Sequence, residues 1–222
     1  MDNRKWKVVL FDLDGTLIDS SEGITKSAQY CLDYYGIHEE DLDKLRVFIG
    51  PPLVYSFPKY YGFEGPKIRE AVDKYRERYN KIGIFECALY PGAEDCLKKL
   101  KDNGYIICLA SSKPEGACRR ILDHFGITEL FDEIVGSTPD GRIDTKQQVL
   151  EELFSRTPEV NVDEMVLVGD TIFDVEGANK VNLSTIGVDY GFGNVDEMKA
   201  AGAVSICSSL MEVADYIMKA KN

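Results

Sequence analysis

Bulky apolar residues fall into two rhythms along this chain. Three short unbroken runs, Val8-Val9-Leu10-Phe11, Tyr105-Ile106-Ile107-Cys108-Leu109-Ala110 and Met165-Val166-Leu167-Val168, have the length and composition of strands buried on both faces. Elsewhere in the second half, apolar positions recur at intervals of three and four, as in helices that bury one side. Ala93, Cys96, Leu97 and Leu100 follow this spacing, as do residues 115–125, and Val149, Leu150 and Leu153 within 146–154. Shorter strands are expected at 133–136, 184–188 and 203–206, and further helices at 175–181, 195–201 and 209–219. This alternation predicts an α/β fold, a Rossmann-like parallel sheet with helices on both faces.

Between the first strand and residue 90 the pattern differs, and only helical spacing is found. Ile24, Ala28, Cys31, Leu32 and Tyr35 form one stripe that Gly36 ends, and Asp41, Leu42, Leu45 and Phe48 begin a second amphipathic segment. Val54, Phe57, Tyr60 and Tyr61 suggest a third helix, and Ile68, Ala71, Val72, Tyr75 and Tyr79 a fourth. Phe48-Ile49-Gly50-Pro51-Pro52-Leu53 interrupts them as a rigid loop, because consecutive prolines cannot continue a helix and Gly50 frees the backbone for a turn. An excursion of roughly 70 residues far exceeds an ordinary βα loop. The expected division is a core of residues 1–15 and 86–222 and an inserted helical domain of residues 16–85.

Composition narrows the partners. With 222 residues, 44% of them hydrophobic, the chain has material for a core domain and a smaller companion. Its 26 basic and 38 acidic residues give a net charge of −12, which disfavours nucleic acid and anionic membrane surfaces. An anionic substrate then needs a local device, a metal ion or a few placed cations. No stretch approaches the ~20 apolar residues of a membrane span. The N-terminus lacks the apolar run and cleavage site of a signal peptide, so a cytoplasmic protein is expected. Six cysteines without a Cys-x-x-Cys pair read as reduced core thiols, and His38 and His124 as structural.

Candidate chemistry gathers where the strands end. The first run leads into Asp12-Leu13-Asp14-Gly15-Thr16-Leu17, and open parallel sheets bind ligands at that carboxyl edge. Residues two apart in extended backbone point to one side, so Asp12 and Asp14 can reach one ligand, and Gly15 permits a sharp turn. Ser111 and Ser112 end the second run, Lys146 opens a helix after the Gly141 turn, and Gly169-Asp170-Thr171-Ile172-Phe173-Asp174 closes the third. Taken in order, these segments resemble the four signatures of the haloacid dehalogenase-like (HAD) hydrolases, most of which are phosphatases. The resemblance spans essentially the whole chain. Ile49-Gly50-Pro51-Pro52-Leu53 and Tyr190-Gly191-Phe192-Gly193 are similar to segments of the phosphoglycolate phosphatase group.

The resemblance implies that the helical insertion is a type C1 cap, with no room for a second cap between 112 and 146. It implies a Mg²⁺ ion bound by the side chains of Asp12 and Asp170, by the backbone carbonyl of Asp14, and by Asp174 directly or through water. Asp12 is then the nucleophile and Asp14 the general acid and base, a residue that family dehalogenases lack. The Ser111 hydroxyl meets the phosphoryl group and Lys146 offsets its charge; Ser112 and Lys113 are neighbouring phosphate contacts. The Gly50 loop and Arg46 are the cap's candidates for the leaving group. Plainer roles stand beside these: Asp174 as a helix N-terminal acid, Ser111 as a helix cap, Lys146 and Arg46 as solvated cations, and the prolines as a helix stop. The expected activity is Mg²⁺-dependent hydrolysis of a small phosphorylated metabolite, a phosphoglycolate-like phosphomonoester, through a phosphoaspartate. A 5′-nucleotidase, a pyrophosphatase or a sugar phosphomutase would look alike. A non-catalytic phospholigand-binding protein, monomeric or homodimeric like the enzyme, would have no need of Asp14.

Overall fold

The computed structural model describes residues 5–157 and 159–220. The chain divides into two compact units, Met1–Ile18 with Leu89–Asn222, and Asp19–Ala88. β1 (Val8–Phe11) has all four side chains buried, and the paired two-residue strands β2 (Ile18–Asp19) and β3 (Ala88–Leu89) mark the two passages between units.

Three α-helices build the second unit: α1 (Ser21–Tyr34), α2 (Leu53–Tyr61) and α3 (Pro66–Tyr79). α1 packs on α3 through Ile24, Ala28, Cys31 and Leu32 on one side and Ala71, Val72 and Tyr75 on the other, all buried. One expectation is refined here and one corrected. The segment begun by Asp41 and Leu42 is helical but of the 3₁₀ type over Leu42–Phe48, and Leu42, Leu45 and Phe48 are spaced by three, which is the period of that tighter helix. In α2 only Phe57 of the predicted stripe is buried, stacked on Phe63, while Val54 and Tyr60 are exposed.

The first unit continues with α4 (Ala93–Asp102), β4 (Ile106–Pro114), α5 (Glu115–Phe125), β5 (Glu133–Ser137), α6 (Lys146–Arg156), β6 (Met165–Gly169), α7 (Ile172–Asn179), β7 (Ser184–Val188), α8 (Val195–Ala201), β8 (Ser205–Cys207) and α9 (Leu210–Lys219). Six strands form one sheet in the order β5-β4-β1-β6-β7-β8, every neighbouring pair parallel. Leu10 lies opposite Cys108 and Leu167, so β1, β4 and β6 run level and deliver their last residues to one edge. On one face Val8, Leu10, Cys108, Ala110 and Leu167 pack with Val149, Leu150 and Leu153 of α6. From β1 the chain builds outward to β5, then returns beside β1 and builds the other way. The strand order therefore reverses between β1 and β6, and such a switch point leaves a crevice at the carboxyl ends.

β4 runs on to Pro114, with a register shift against β5 between Ser111 and Pro114. Ser111 is therefore a strand residue, and Pro114, not Ser111, is the N-cap of α5. α7 begins at Ile172, earlier than the apolar pattern indicates, because Thr171 and Asp174 close a capping box there. All six cysteines are free thiols, five of them buried. No helix among the described residues is long and apolar enough to cross a membrane.

Candidate active site

Asp12 is the first residue past β1, and its N–H still donates to the Val168 carbonyl of β6 at 2.9 Å. That bond carries the β1–β6 ladder one residue further and fixes Asp12 at the switch point. Lys146 reaches it from the first turn of α6, which Thr145 and Gln148 start with a capping box. The Lys146 ammonium lies 2.8 Å from Asp12 Oδ1, 2.8 Å from Asp174 Oδ1 and 2.8 Å from the Ala110 carbonyl. Its three N–H donors are thus all engaged.

Asp170, the residue after β6, is fully buried. Thr16 Oγ1 donates to its Oδ1 at 3.2 Å and the Phe192 N–H to its Oδ2 at 2.8 Å. Glycines press on it from three sides: a Cβ at Gly15, Gly191 or Gly193 would lie 2.1, 2.3 or 2.1 Å from an Asp170 atom. Asp174 is held in turn, its Oδ2 accepting from Thr171 N–H at 3.0 Å and Thr171 Oγ1 at 2.8 Å. It is both the helix N-terminal acid and a member of the cluster.

Asp12, Asp170 and Asp174 each offer an oxygen within 4.8 Å of the others. Burial pushes the Asp12 carboxyl up to about 6; Lys146 opposes the rise and Asp174 adds to it. Asp170 is raised well above the usual carboxylate range, by burial first and then by Asp174 and Asp12. Burial works against the charge of Lys146, but Asp12 and Asp174 outweigh it and raise its pKa. Three clustered carboxyl groups face one ammonium, which pairs with Asp12 and Asp174, and their donors are hard oxygens. This donor set fits Mg²⁺.

Asp14 contributes no side-chain oxygen to that cluster. The strand ends at Phe11, so the alternation expected of an extended backbone does not hold, and the Asp14 carboxylate instead meets Lys113 Nζ at 2.8 and 2.7 Å. Ser111 is buried with its Oγ accepting from the Lys113 N–H at 3.3 Å, and Ser112 is exposed. Asp12, Asp14, Ser111, Ser112, Lys113, Lys146, Asp170 and Asp174 all belong to the first unit. Arg46 and Gly50 belong to the second. Arg46 is half-exposed with Nη1 3.8 Å from Asp43 Oδ1, and Gly50 has a φ of 95°. His38 pairs with Asp33 at 2.8 Å on the surface of the same unit.

The contacts that Thr16, the Phe192 N–H and the glycine collar make with Asp170 escape a reading of the sequence, although their segments are among the motifs. Thr16 follows the acids immediately, but its partner lies 154 residues further on and only the strand order brings them together. Tyr190 adds a second tie across that gap, its hydroxyl donating to the Thr16 carbonyl at 2.9 Å.

A doubly wound sheet with a lysine-paired aspartate at its switch point, backed by two further acids, defines an enzyme site built for a dense anionic group. The model of the family described as haloacid dehalogenase-like hydrolase matches residues 9–188. A 5′-nucleotidase of Pseudomonas aeruginosa is 39% identical over 202 residues, 91% of each chain. A phosphoglycolate phosphatase of Psychrobacter arcticus is 28% identical over 96% of each. The crystal structure of a predicted phosphatase from Clostridium acetobutylicum superposes with a TM-score of 0.91 at 44% identity, over 96% of this chain and 99% of that one. The chain belongs to the haloacid dehalogenase-like hydrolases, in their phosphoglycolate phosphatase-like group, and is a phosphatase.

Proposed function

We propose that the enzyme hydrolyses a small phosphomonoester through a phosphoaspartate on Asp12, with Mg²⁺ held by Asp12, Asp170, Asp174 and the Asp14 carbonyl. The carrying observation is the cluster itself: Asp12 is ion-paired to a saturated lysine and sits within 4.8 Å of two more carboxylates. Bound there, the ion supplies the positive charge that lets a carboxylate approach an anionic phosphate. Asp12 Oδ attacks phosphorus, the ester P–O bond breaks, and Asp14 gives its proton to the departing alkoxide. Asp14 then takes a proton from water, whose oxygen attacks phosphorus and releases inorganic phosphate and the Asp12 carboxylate. The Ser111 region receives the phosphate oxygens, and Lys146 keeps Asp12 oriented and neutralises charge. With its three donors already placed, Lys146 acts chiefly on the nucleophile.

Chelation is expected to stop turnover of p-nitrophenyl phosphate, Mg²⁺ to restore it and excess Ca²⁺ to inhibit, because the larger, irregular shell of Ca²⁺ misplaces the nucleophile. Full activity in a chelator would overturn the metal assignment. The substrate we favour is a small phosphoglycolate-like ester. The P. aeruginosa relative supports a second reading, a nucleoside 5′-monophosphate. Relative kcat/KM across a panel of phosphorylated metabolites decides between them and would also reveal pyrophosphatase or mutase activity. The helices of residues 19–88 are read as the type C1 cap that sets this selectivity.

A further inference from the structure

A second buried ion pair stands at the same sheet edge, and its geometry differs from that of Asp12 and Lys146. Lys113 Nζ meets both oxygens of Asp14, at 2.8 and 2.7 Å, with side chains only 7% and 17% exposed. Lys113 is itself gripped. It lies where β4 slips against β5, its N–H donates to Ser111 Oγ at 3.3 Å, and its carbonyl accepts from Cys118 Sγ at 3.6 Å. Gly136 lets the strand close over it, since a Cβ there would sit 2.6 Å from the Lys113 carbonyl oxygen. A long side chain anchored at its root, ending on both oxygens of a short acid, fixes the orientation of that acid.

We propose that Lys113 is a positioning residue for Asp14, holding its carboxyl group in the orientation from which it meets the leaving-group oxygen. The inference rests on Asp14 being the general acid proposed above. It makes a prediction that neither a phosphate-contacting nor a merely structural lysine makes. kcat/KM covers every step up to departure of the leaving group. An acid held in place matters most when that group is a strong base and little when it leaves unaided.

The test is a series of para-substituted phenyl phosphates, from 4-nitro to 4-methoxy, which keeps the substrate shape nearly constant while leaving-group basicity rises. Lys113→Met is expected to steepen the decline of kcat/KM with basicity, the 4-methoxy ester losing about tenfold or more beyond the loss on the 4-nitro ester. Lys113→Arg keeps the charge and is expected to recover most of the original slope. If Lys113→Met does not fold, Lys113→Gln against Lys113→Arg gives the same comparison. A parallel loss on all esters, or no loss, overturns the proposal; a parallel loss with weaker inhibition by inorganic phosphate would make Lys113 a phosphate contact. Failure of the underlying mechanism reads differently: Asp14→Asn would then leave the dependence on leaving-group basicity unchanged, and the inference would fall with it.

Discussion

Asp12 carries a charge that its own surroundings resist. Its carboxyl is pushed up to about 6 from an ordinary 3.8, so the folded protein binds this proton more tightly than the unfolded chain. The stability it contributes is complete below about pH 4 and is lost as pH rises through about 6. Above that, in chelator, the ionised group weakens the fold by on the order of 3 kcal/mol. Asp12→Asn is therefore expected to abolish turnover yet gain stability over the parent between pH 4 and 7, read as the difference in urea midpoints in chelator. Mg²⁺ should reverse the order by stabilising only the parent. A pH-independent difference would show that Asp12 titrates normally. Asp12, Asp14, Lys146 and Asp170 were legible as residues because their motifs are local. The bonds that hold Asp170 were not, because Thr16 and Phe192 meet it only through the strand order.

The elements that place the site are of two kinds. β1, β4 and β6 are buried on both faces, so an unbroken apolar run announces each of them. Their ends were harder to read: β4 continues through Ser111 to Pro114, and α7 starts at its capping box instead of at its apolar stripe. Helix packing around the lysine was not legible at all. A Cβ at Gly177 of α7 would lie 2.6 Å from Lys146 Cβ and 2.7 Å from its Cγ. Gly177→Ala is therefore expected to push the Lys146 stem off its three 2.8 Å contacts. kcat for p-nitrophenyl phosphate should fall about tenfold or more, with about 1–3 kcal/mol lost to overpacking. Gly116→Ala in α5 is the control. Nothing lies within 4 Å of a Cβ there, so the helix should gain up to about 1 kcal/mol with no change in rate.

For the whole molecule the question is what residues 19–88 add to a sheet that carries the proposed reacting groups without them. The excursion was visible in the sequence as a change of period, although the passage points fall at Ile18–Asp19 and Ala88–Leu89, later than residues 15 and 85. Leu17 and Ile18 are fully buried and fall within the first unit. Tyr90 N–H donates to the Leu17 carbonyl at 2.9 Å, so the first unit's chain leaves and re-enters side by side. A short Gly-Ser link can therefore replace residues 19–88 without pulling the sheet apart. The shortened enzyme is expected to remain folded and to hydrolyse p-nitrophenyl phosphate, while kcat/KM for the preferred metabolite falls further than for that probe. Arg46→Ala asks the same of one side chain in the intact protein. If Arg46 meets an anionic leaving group, its loss removes a charged hydrogen bond, about ten- to a hundredfold in kcat/KM for the metabolite and far less for p-nitrophenyl phosphate. Equal losses on both esters would place selectivity in the sheet edge itself, and no loss on either would leave Arg46 as the surface partner of Asp43.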